Sequence, residues 1–211
     1  MSWLKDQLQK NPDGLYIESE STLLSYREID EMVQAYAQSM LRENIQPQDR
    51  ILIHLPIGTE LVEMILTCFE IGAVAVPISP YLKADERNKI TDNIQPKLII
   101  TNWENQSCFT PCAVPLLSIE EILYSSRGCS IAEINYAQQA DDVAAIVLTS
   151  GTTGIPKAVQ LTYGNFETSC TNWKEFLQFN EMDQFLCCLP LHHIGGLAVL
   201  IRALIYGFSV S

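Results

Sequence analysis

The chain has 211 residues, of which 47% are hydrophobic and only 18% are charged, and this composition excludes an intrinsically disordered protein. Its 13 Lys and Arg residues against 25 Asp and Glu residues leave a formal charge of -12. An acidic surface without a basic cluster repels nucleic acid and anionic lipid, so an anionic ligand must be held by a local site. We therefore expect small-molecule partners, with no nucleic acid and no membrane insertion.

The cysteines and the amino terminus bear on the cellular compartment. Seven cysteines are scattered without a Cys-x-x-Cys pair, a pattern that predicts neither a disulfide framework nor a zinc site, and we assign no metal ligand. The first residues lack the basic segment and apolar run of a signal peptide. The longest apolar stretch, residues 194–206, is too short to span a bilayer. These features predict a cytoplasmic protein, and they leave a homo-oligomer open.

The first predicted elements are a hairpin and an amphipathic helix. Residues 16–25 alternate in part between apolar and polar side chains, which predicts the hairpin. Ser25 and Glu28 have the spacing of a capping box, which begins a helix. The apolar positions of that helix recur at i, i+3, i+4 and i+7. They are Ile29, Met32, Val33, Tyr36, Ala37, Met40 and Leu41.

Strands and helices then alternate along the chain. The predicted strands are 51–55, 74–78, 97–101, 144–148 and 185–189, and the predicted helices are 59–71, 83–93, 162–179 and 194–206. Residues 102–140 are less regular and are predicted to hold one short strand and one helix, while 207–211 begin one further strand. Continuous apolar strands between helices predict an α/β fold, with a mostly parallel sheet covered by helices on both faces.

The segment Leu148-Thr-Ser-Gly-Thr-Thr-Gly-Ile-Pro-Lys-Ala follows a predicted buried strand. Its glycines allow backbone amides to approach an anion closely, its hydroxyls donate to phosphate oxygens, and its lysine adds a positive charge. The segment is not a Walker A loop, because the lysine does not follow a glycine. An ordinary Gly/Thr-rich turn is the alternative, but this order of residues after a strand favours a phosphate loop.

Residues 149–157 resemble the phosphate loop of the adenylate-forming (AMP-binding) enzymes, which include acyl-CoA synthetases, luciferases and peptide-synthetase adenylation domains. The resemblance implies that the loop holds the β- and γ-phosphates of ATP, that Thr149 opens it, and that Lys157 is also catalytic. The residues assigned to the phosphates are Ser150, Gly151, Thr152, Thr153, Gly154 and Lys157. The family usually has glycine where this chain has Ala158.

Residues 189–197, with the sequence LPLHHIGGL, resemble the Pro-x-x-His-x-x-Gly motif of the same family. That motif lines the acyl pocket near the ATP phosphates. The alignment gives His193 the place of the family histidine, and His192 stands where Phe or Tyr is common. We therefore assign His193 a catalytic and substrate-binding role, and Gly195 and Gly196 a substrate-binding one. A histidine with a purely structural role is the alternative.

The resemblance covers essentially the whole chain. It implies the amino-terminal portion of the family's large domain, with a subdivision near residue 140 left open. The implied reaction uses ATP and Mg²⁺ to form an acyl-AMP, which coenzyme A then converts to a thioester. The family's blocks for adenine, ribose and magnesium are absent, so we expect these residues alone to be inactive. The chain ends inside a predicted strand. This favours the interpretation that it is part of a longer enzyme over the alternative that it is a short, non-catalytic binding module.

Residues 157–166 and 189–207 are similar to one subfamily, the 2-succinylbenzoate–CoA ligases of menaquinone biosynthesis. Its distinctive residue is Arg202, which lies on an otherwise apolar helix where a guanidinium is costly to bury without an anion. The subfamily's substrate has a second carboxylate, and an arginine at the far end of the acyl pocket suits it. Alternatively, Arg202 reaches the surface or pairs with an acidic side chain. A general acyl- or aryl-CoA ligase is the alternative function.

Overall fold

The computed structural model describes residues 2–19, 22–109, 113–126, 134, 136–149 and 156–211. In chain order they form α1 (Trp3–Lys10), β1 (Leu15–Glu18), β2 (Leu23–Ser25), α2 (Tyr26–Arg42), β3 (Arg50–Ile53), α3 (Thr59–Ile71), β4 (Val74–Pro77), α4 (Ala84–Ile94), β5 (Leu98–Thr101), a 3₁₀ helix (Trp103–Phe109), β6 (Leu116–Ser118), α5 (Ile119–Ser126), β7 (Val143–Thr149), β8 (Lys157–Thr162), α6 (Tyr163–Leu177), β9 (Gln184–Phe185), α7 (Ile194–Tyr206) and β10 (Ser209–Val210). Across these ranges, no helix combines the length and the apolar character that crossing a bilayer requires.

The strands form two sheets. A six-stranded sheet has the order β6-β5-β3-β4-β7-β8, and a four-stranded sheet has the order β2-β1-β10-β9. The larger sheet is parallel from β6 to β7, and only β8 runs antiparallel to its neighbour. The predicted α/β fold with a mostly parallel sheet is therefore confirmed. β8 was not predicted, because its side chains are largely exposed and it lacks the apolar run that marks the other strands.

Both faces of the larger sheet are buried, which explains its continuous apolar strands. In β3, Ile51 and Ile53 belong to the main core, which also includes side chains of α2 and α3. Leu52 points to the opposite face, where it belongs to a second core with Ile90 and Ile94 of α4. Burying a side chain of this size stabilises the fold by roughly 1.5–3 kcal/mol. The central strands therefore hold the layers together from both sides.

The predicted capping box begins α2. The hydroxyl of Ser25 accepts the amide of Glu28 at 3.3 Å, and the Glu28 carboxylate accepts the amide of Ser25 at 2.8 Å. Most of the predicted apolar face is buried, but Leu41, which was assigned to that face, is 40% exposed. Consecutive helical residues point about 100° apart, so Leu41 turns towards solvent where Met40 points inward.

The secondary structure differs from the predictions at α1 and at β9. α1 was not predicted; Ser2 caps it by accepting the amide of Lys5 at 3.3 Å. The Lys5 ammonium lies 2.6 Å from the buried carboxylate of Glu70, which ties α1 to α3. The strand predicted for residues 185–189 is also shorter, because only Gln184–Phe185 pairs with β10. Beyond Phe185, the amide of Cys187 still donates to the carbonyl of Ser211 at 2.7 Å, and the chain then continues towards α7.

His54 follows β3 and is completely buried. Its Nδ1 atom lies 3.3 Å from the hydroxyl oxygen of Thr101, and its ring contacts Phe109 edge-on at 5.1 Å between centroids. Burial, and after it the charge of Arg87, lower the pKa of His54 to about 4. The native protein therefore keeps this imidazole neutral at pH values where an unfolded chain would protonate it.

This difference predicts a pH-dependent stability. The unfolded state takes up a proton near pH 6.5 and the native state only near pH 4, so stability is complete above pH 6.5 and falls as the pH decreases through this window. The loss due to His54 should reach about 3 kcal/mol. Urea unfolding at pH values from 7 to 4 measures this loss as the slope of the unfolding free energy against pH. His54→Asn should remove the part of the slope that is due to His54, and the control His193→Asn should retain it. Equal slopes in all three proteins would contradict the prediction.

Candidate active site

The hairpin of β7 and β8 holds the two ends of the predicted phosphate loop together. Thr149 lies opposite Lys157 in the antiparallel register, and its hydroxyl donates to the Lys157 carbonyl at 3.5 Å. Ala158 pairs with Leu148 as an ordinary strand residue, so its backbone does not require glycine. The other residues assigned to the phosphates lie outside the described residues; they are Ser150, Gly151, Thr152, Thr153 and Gly154.

A pocket of about 270 Å³ lies beside the mouth of this hairpin. Its lining residues come from the end of β4, from α4, from the hairpin and from the segment before α7, and they are Pro77, Ile78, Ser79, Leu82, Ile90, Leu148, Thr149, Pro156, His192 and His193. β4 and β7 are adjacent and parallel, so their carboxyl ends open at one edge of the sheet, where α/β proteins bind ligands. The structure thus brings the loop ends and both histidines together.

The two histidines line the pocket side by side, with ring centroids 4.5 Å apart. His192 is partly buried, and its Nδ1 atom is buried without a hydrogen-bond partner among the described residues. Burial, and after it the neighbouring His193, lower the pKa of His192, so its ring is neutral near pH 7. His193 is exposed and is the N-cap residue of α7, but its side chain makes no capping bond. Both rings are therefore available to a ligand.

Gly196 allows α7 to begin close to the chain that leads into it. A Cβ atom at Gly196 would lie 2.3 Å from the carbonyl oxygen of Leu189 and 2.6 Å from that of Pro190. A Cβ atom at Gly195 would meet only the end of the flexible Leu189 side chain, at 2.5 Å. Neither glycine lines the pocket, and their predicted contact with substrate stays a prediction. In the structure, the lack of a side chain at Gly196 allows the close backbone contact that positions His193 and the first turn of α7.

Arg202 lies on a partly exposed face of α7. Gly195, Val199 and Arg202 share this face, at the i, i+4 and i+7 positions of a helix. Arg202 is about 13 Å along the helix axis from His193 and does not line the pocket. Its guanidinium carbon lies 4.3 Å from the ring centroid of Trp173 on α6. Within the described part of the chain, no acidic side chain forms an ion pair with Arg202.

The sequence did not identify all residues around these features. Ile78, Ser79 and Leu82 line the pocket, and the signal that points to them is their place directly after a buried parallel strand. Trp173 was also missed, because its contact with Arg202 depends on how α6 packs against α7. No local pattern around Trp173 indicates that contact.

The chain matches the family model of the AMP-binding enzymes over residues 4–211. The 2-succinylbenzoate–CoA ligase of Oceanobacillus iheyensis is 30% identical over 209 residues, which cover 99% of this chain and 43% of that enzyme. The ligase of the same name from Bacillus cereus is 27% identical, with 99% of this chain and 42% of that enzyme covered. The chain therefore spans less than half the length of these curated relatives.

Solved structures agree with the sequence relatives. The O-succinylbenzoate coenzyme A synthetase from Bacillus subtilis in complex with AMP matches with a TM-score of 0.91 and 28% identity, over 99% of this chain and 54% of that one. The complex of that synthetase with ATP and magnesium matches with a TM-score of 0.89 and 26% identity, over 99% and 56% of the two chains. The chain thus belongs to the AMP-binding enzyme family, and it corresponds to the amino-terminal portion of these ligases.

Proposed function

We propose that this chain is the ATP-binding, amino-terminal portion of an acid–thiol ligase that converts 2-succinylbenzoate to its coenzyme A thioester in menaquinone biosynthesis. One arrangement carries the proposal: Thr149 and His193 line the same pocket, and Arg202, which has no ion pair with a described side chain, lies farther along the helix that His193 caps. The names of the relatives support the same substrate. The cytoplasmic location and the oligomeric state stay predictions.

The hairpin mouth suits the polyphosphate of ATP. Lys157 is exposed and stands opposite Thr149, so it can bring a positive charge to phosphate oxygens without breaking any contact among the described residues. The Nδ1 atom of His192 has no hydrogen-bond partner among the described residues, and a ligand in the pocket would supply one. ATP, when bound, supplies the phosphorus atom that the substrate carboxylate attacks. We assign Lys157 to stabilising the negative charge that develops on the departing pyrophosphate.

The described residues do not account for magnesium or coenzyme A. None of the described side chains that line the pocket is an aspartate or a glutamate. Magnesium prefers oxygen ligands, mostly carboxylates and phosphates, so its protein ligands would have to come from elsewhere. We therefore derive no step through the metal, and none through coenzyme A.

The start of α7 suits the reacting carboxylate of the acid. The first amides of a helix have no acceptor within the helix, and they carry a partial positive charge that attracts anions. His193 lies at this end of α7 and faces the pocket, so it can orient the carboxylate towards the nucleotide. Catalysis of this step is mainly positioning, and no nucleophilic side chain is required.

Arg202 suits the second carboxylate of 2-succinylbenzoate. A long helical side chain leans towards the amino terminus of its helix, which directs the guanidinium back towards the acid. Arg202→Ala should lower kcat/KM for 2-succinylbenzoate about tenfold to a hundredfold, because a hydrogen-bonded charge pair is lost. The measurement is pyrophosphate release by a full-length ligase that contains this chain. A panel of carboxylic acids should include the analogue that lacks the ring carboxylate, whose use should be unchanged.

The matched control is Arg27→Ala, which removes an exposed arginine that is paired with Asp13. A preference for another acid, with no effect of Arg202→Ala, would favour a general acyl- or aryl-CoA ligase. If none of the acids supported ATP-dependent pyrophosphate release, the result would favour a non-catalytic binding module. Either result would contradict the proposed function.

A further inference from the structure

Arg202 has no ion pair with a described side chain, in a chain that is rich in carboxylates. Elsewhere the exposed guanidinium of Arg27 lies 2.9 Å from Asp13, and the ammonium of Lys5 lies 2.6 Å from Glu70. The Nε atom of Arg202 is buried and has no hydrogen-bond partner among the described residues. A guanidinium that is partly removed from water and lacks an anion is costly. Some other contact must therefore offset this cost.

The indole of Trp173 is that contact. The guanidinium carbon lies 4.3 Å from the ring centroid, within the range of a cation–π interaction. A guanidinium that lies over a ring can keep its in-plane N–H groups free, and those groups bind a carboxylate in a bidentate manner. A carboxylate partner from the protein would have occupied them. Stacking on Trp173 thus holds Arg202 in place and leaves it free for an anionic ligand.

A second cation–π pair joins the same two helices. The ammonium of Lys174 lies 5.4 Å from the ring centroid of Tyr206, one helical turn beyond Arg202. In this pair the cation comes from α6 and the ring from α7, whereas in the first pair the cation comes from α7 and the ring from α6. The packing of α6 against α7 can therefore be tested at Lys174, while the contact between Arg202 and Trp173 is retained.

We propose that Trp173 is a positioning residue that presents the guanidinium of Arg202 to the second carboxylate of the substrate. The proposal rests on the proposed function, since it requires a dicarboxylic acid. Trp173 touches Arg202 and is not expected to touch the reacting atoms. Its side chain is exposed, so its replacement should not open a cavity in the core.

The test is steady-state kinetics of the full-length ligase with Trp173→Leu, Trp173→Phe and the control Lys174→Met. Trp173→Leu should raise KM for 2-succinylbenzoate about fivefold to twentyfold with little change in kcat, because the cation–π interaction is lost. Trp173→Phe should restore part of the affinity. Use of the analogue without the ring carboxylate should be unchanged, and Lys174→Met should resemble the wild type. In the Arg202→Ala background, Trp173→Leu should have no further effect.

Three results would overturn the proposal. Trp173→Leu could affect both acids equally, which would indicate a structural role, or it could leave both unaffected. Lys174→Met could also raise KM for 2-succinylbenzoate as much as Trp173→Leu does, which would indicate helix packing alone. In each case, a selective effect of Arg202→Ala would show that the dicarboxylate assignment itself still holds. If Arg202→Ala has no selective effect either, the proposed function fails together with this inference.

Discussion

Replacing Lys157 with alanine should lower ATP-dependent pyrophosphate release by about a hundredfold to a thousandfold, the cost of removing one preorganised donor from a developing negative charge. Lys157 begins β8 opposite Thr149, and its side chain is exposed at the mouth of the hairpin. The effect should fall mainly on kcat, since the charge on the pyrophosphate grows in the transition state. The measurement is pyrophosphate release by the full-length ligase at saturating ATP.

Two further variants make this result specific. Lys157→Arg keeps the charge and should retain much of the activity. Lys97→Ala removes an exposed lysine directly before β5, away from the pocket, and should resemble the wild type. Equal activity of the wild type and Lys157→Ala would remove the basis for a phosphate loop at residues 149–157.

Gly196→Ala should lower the free energy of unfolding by about 3 kcal/mol or more, the upper range for overpacking. The new Cβ atom would lie 2.3 Å and 2.6 Å from two backbone carbonyl oxygens, which cannot move without shifting the segment before α7. His193 is the N-cap residue of α7, so the same shift should move its ring away from the pocket. Urea unfolding followed by circular dichroism measures the loss.

Gly195→Ala is the matched control, at the neighbouring position of the same helix. Its Cβ atom meets the end of the Leu189 side chain, which can rotate away, and alanine favours a helix over glycine by roughly 0.5–1 kcal/mol. We therefore expect Gly195→Ala to lie within about 1 kcal/mol of the wild type. If both variants lost the same stability, close backbone contact would not be the reason for glycine at position 196.

Several elements could be predicted because their signals are local. The bounds of α3 and α7 agree with the prediction, since each helix is a largely apolar segment that is followed by a glycine in the left-handed conformation. The capping box of Ser25 and Glu28 needs only residues three apart. The parallel sheet followed from apolar strands that alternate with helices. Such patterns lie within a few residues of one another along the chain.

The elements that were missed lack such local signals. β8 is an exposed edge strand, and its pairing with β7 depends on the hairpin between them. Predicted strand 185–189 is apolar throughout, yet its regular pairing with β10 ends at Phe185, and beyond it only the Cys187 amide bonds to the described end of the chain, at the Ser211 carbonyl. Leu41 fits the helical period and still faces solvent, at the end of α2. For β9 the pairing partner is also distant in the sequence, since β10 follows more than twenty residues later.

The candidate site divides in the same way. Order and spacing along the chain were enough to predict a phosphate loop, to recognise the histidine motif and to single out Arg202, because each depends on the chemistry of neighbouring side chains. Only the tertiary structure put Thr149 beside His192 and His193 and turned Arg202 onto Trp173. Those contacts follow from the order of strands in the sheet and from the packing of α6 against α7, and neither is encoded in a short stretch of residues.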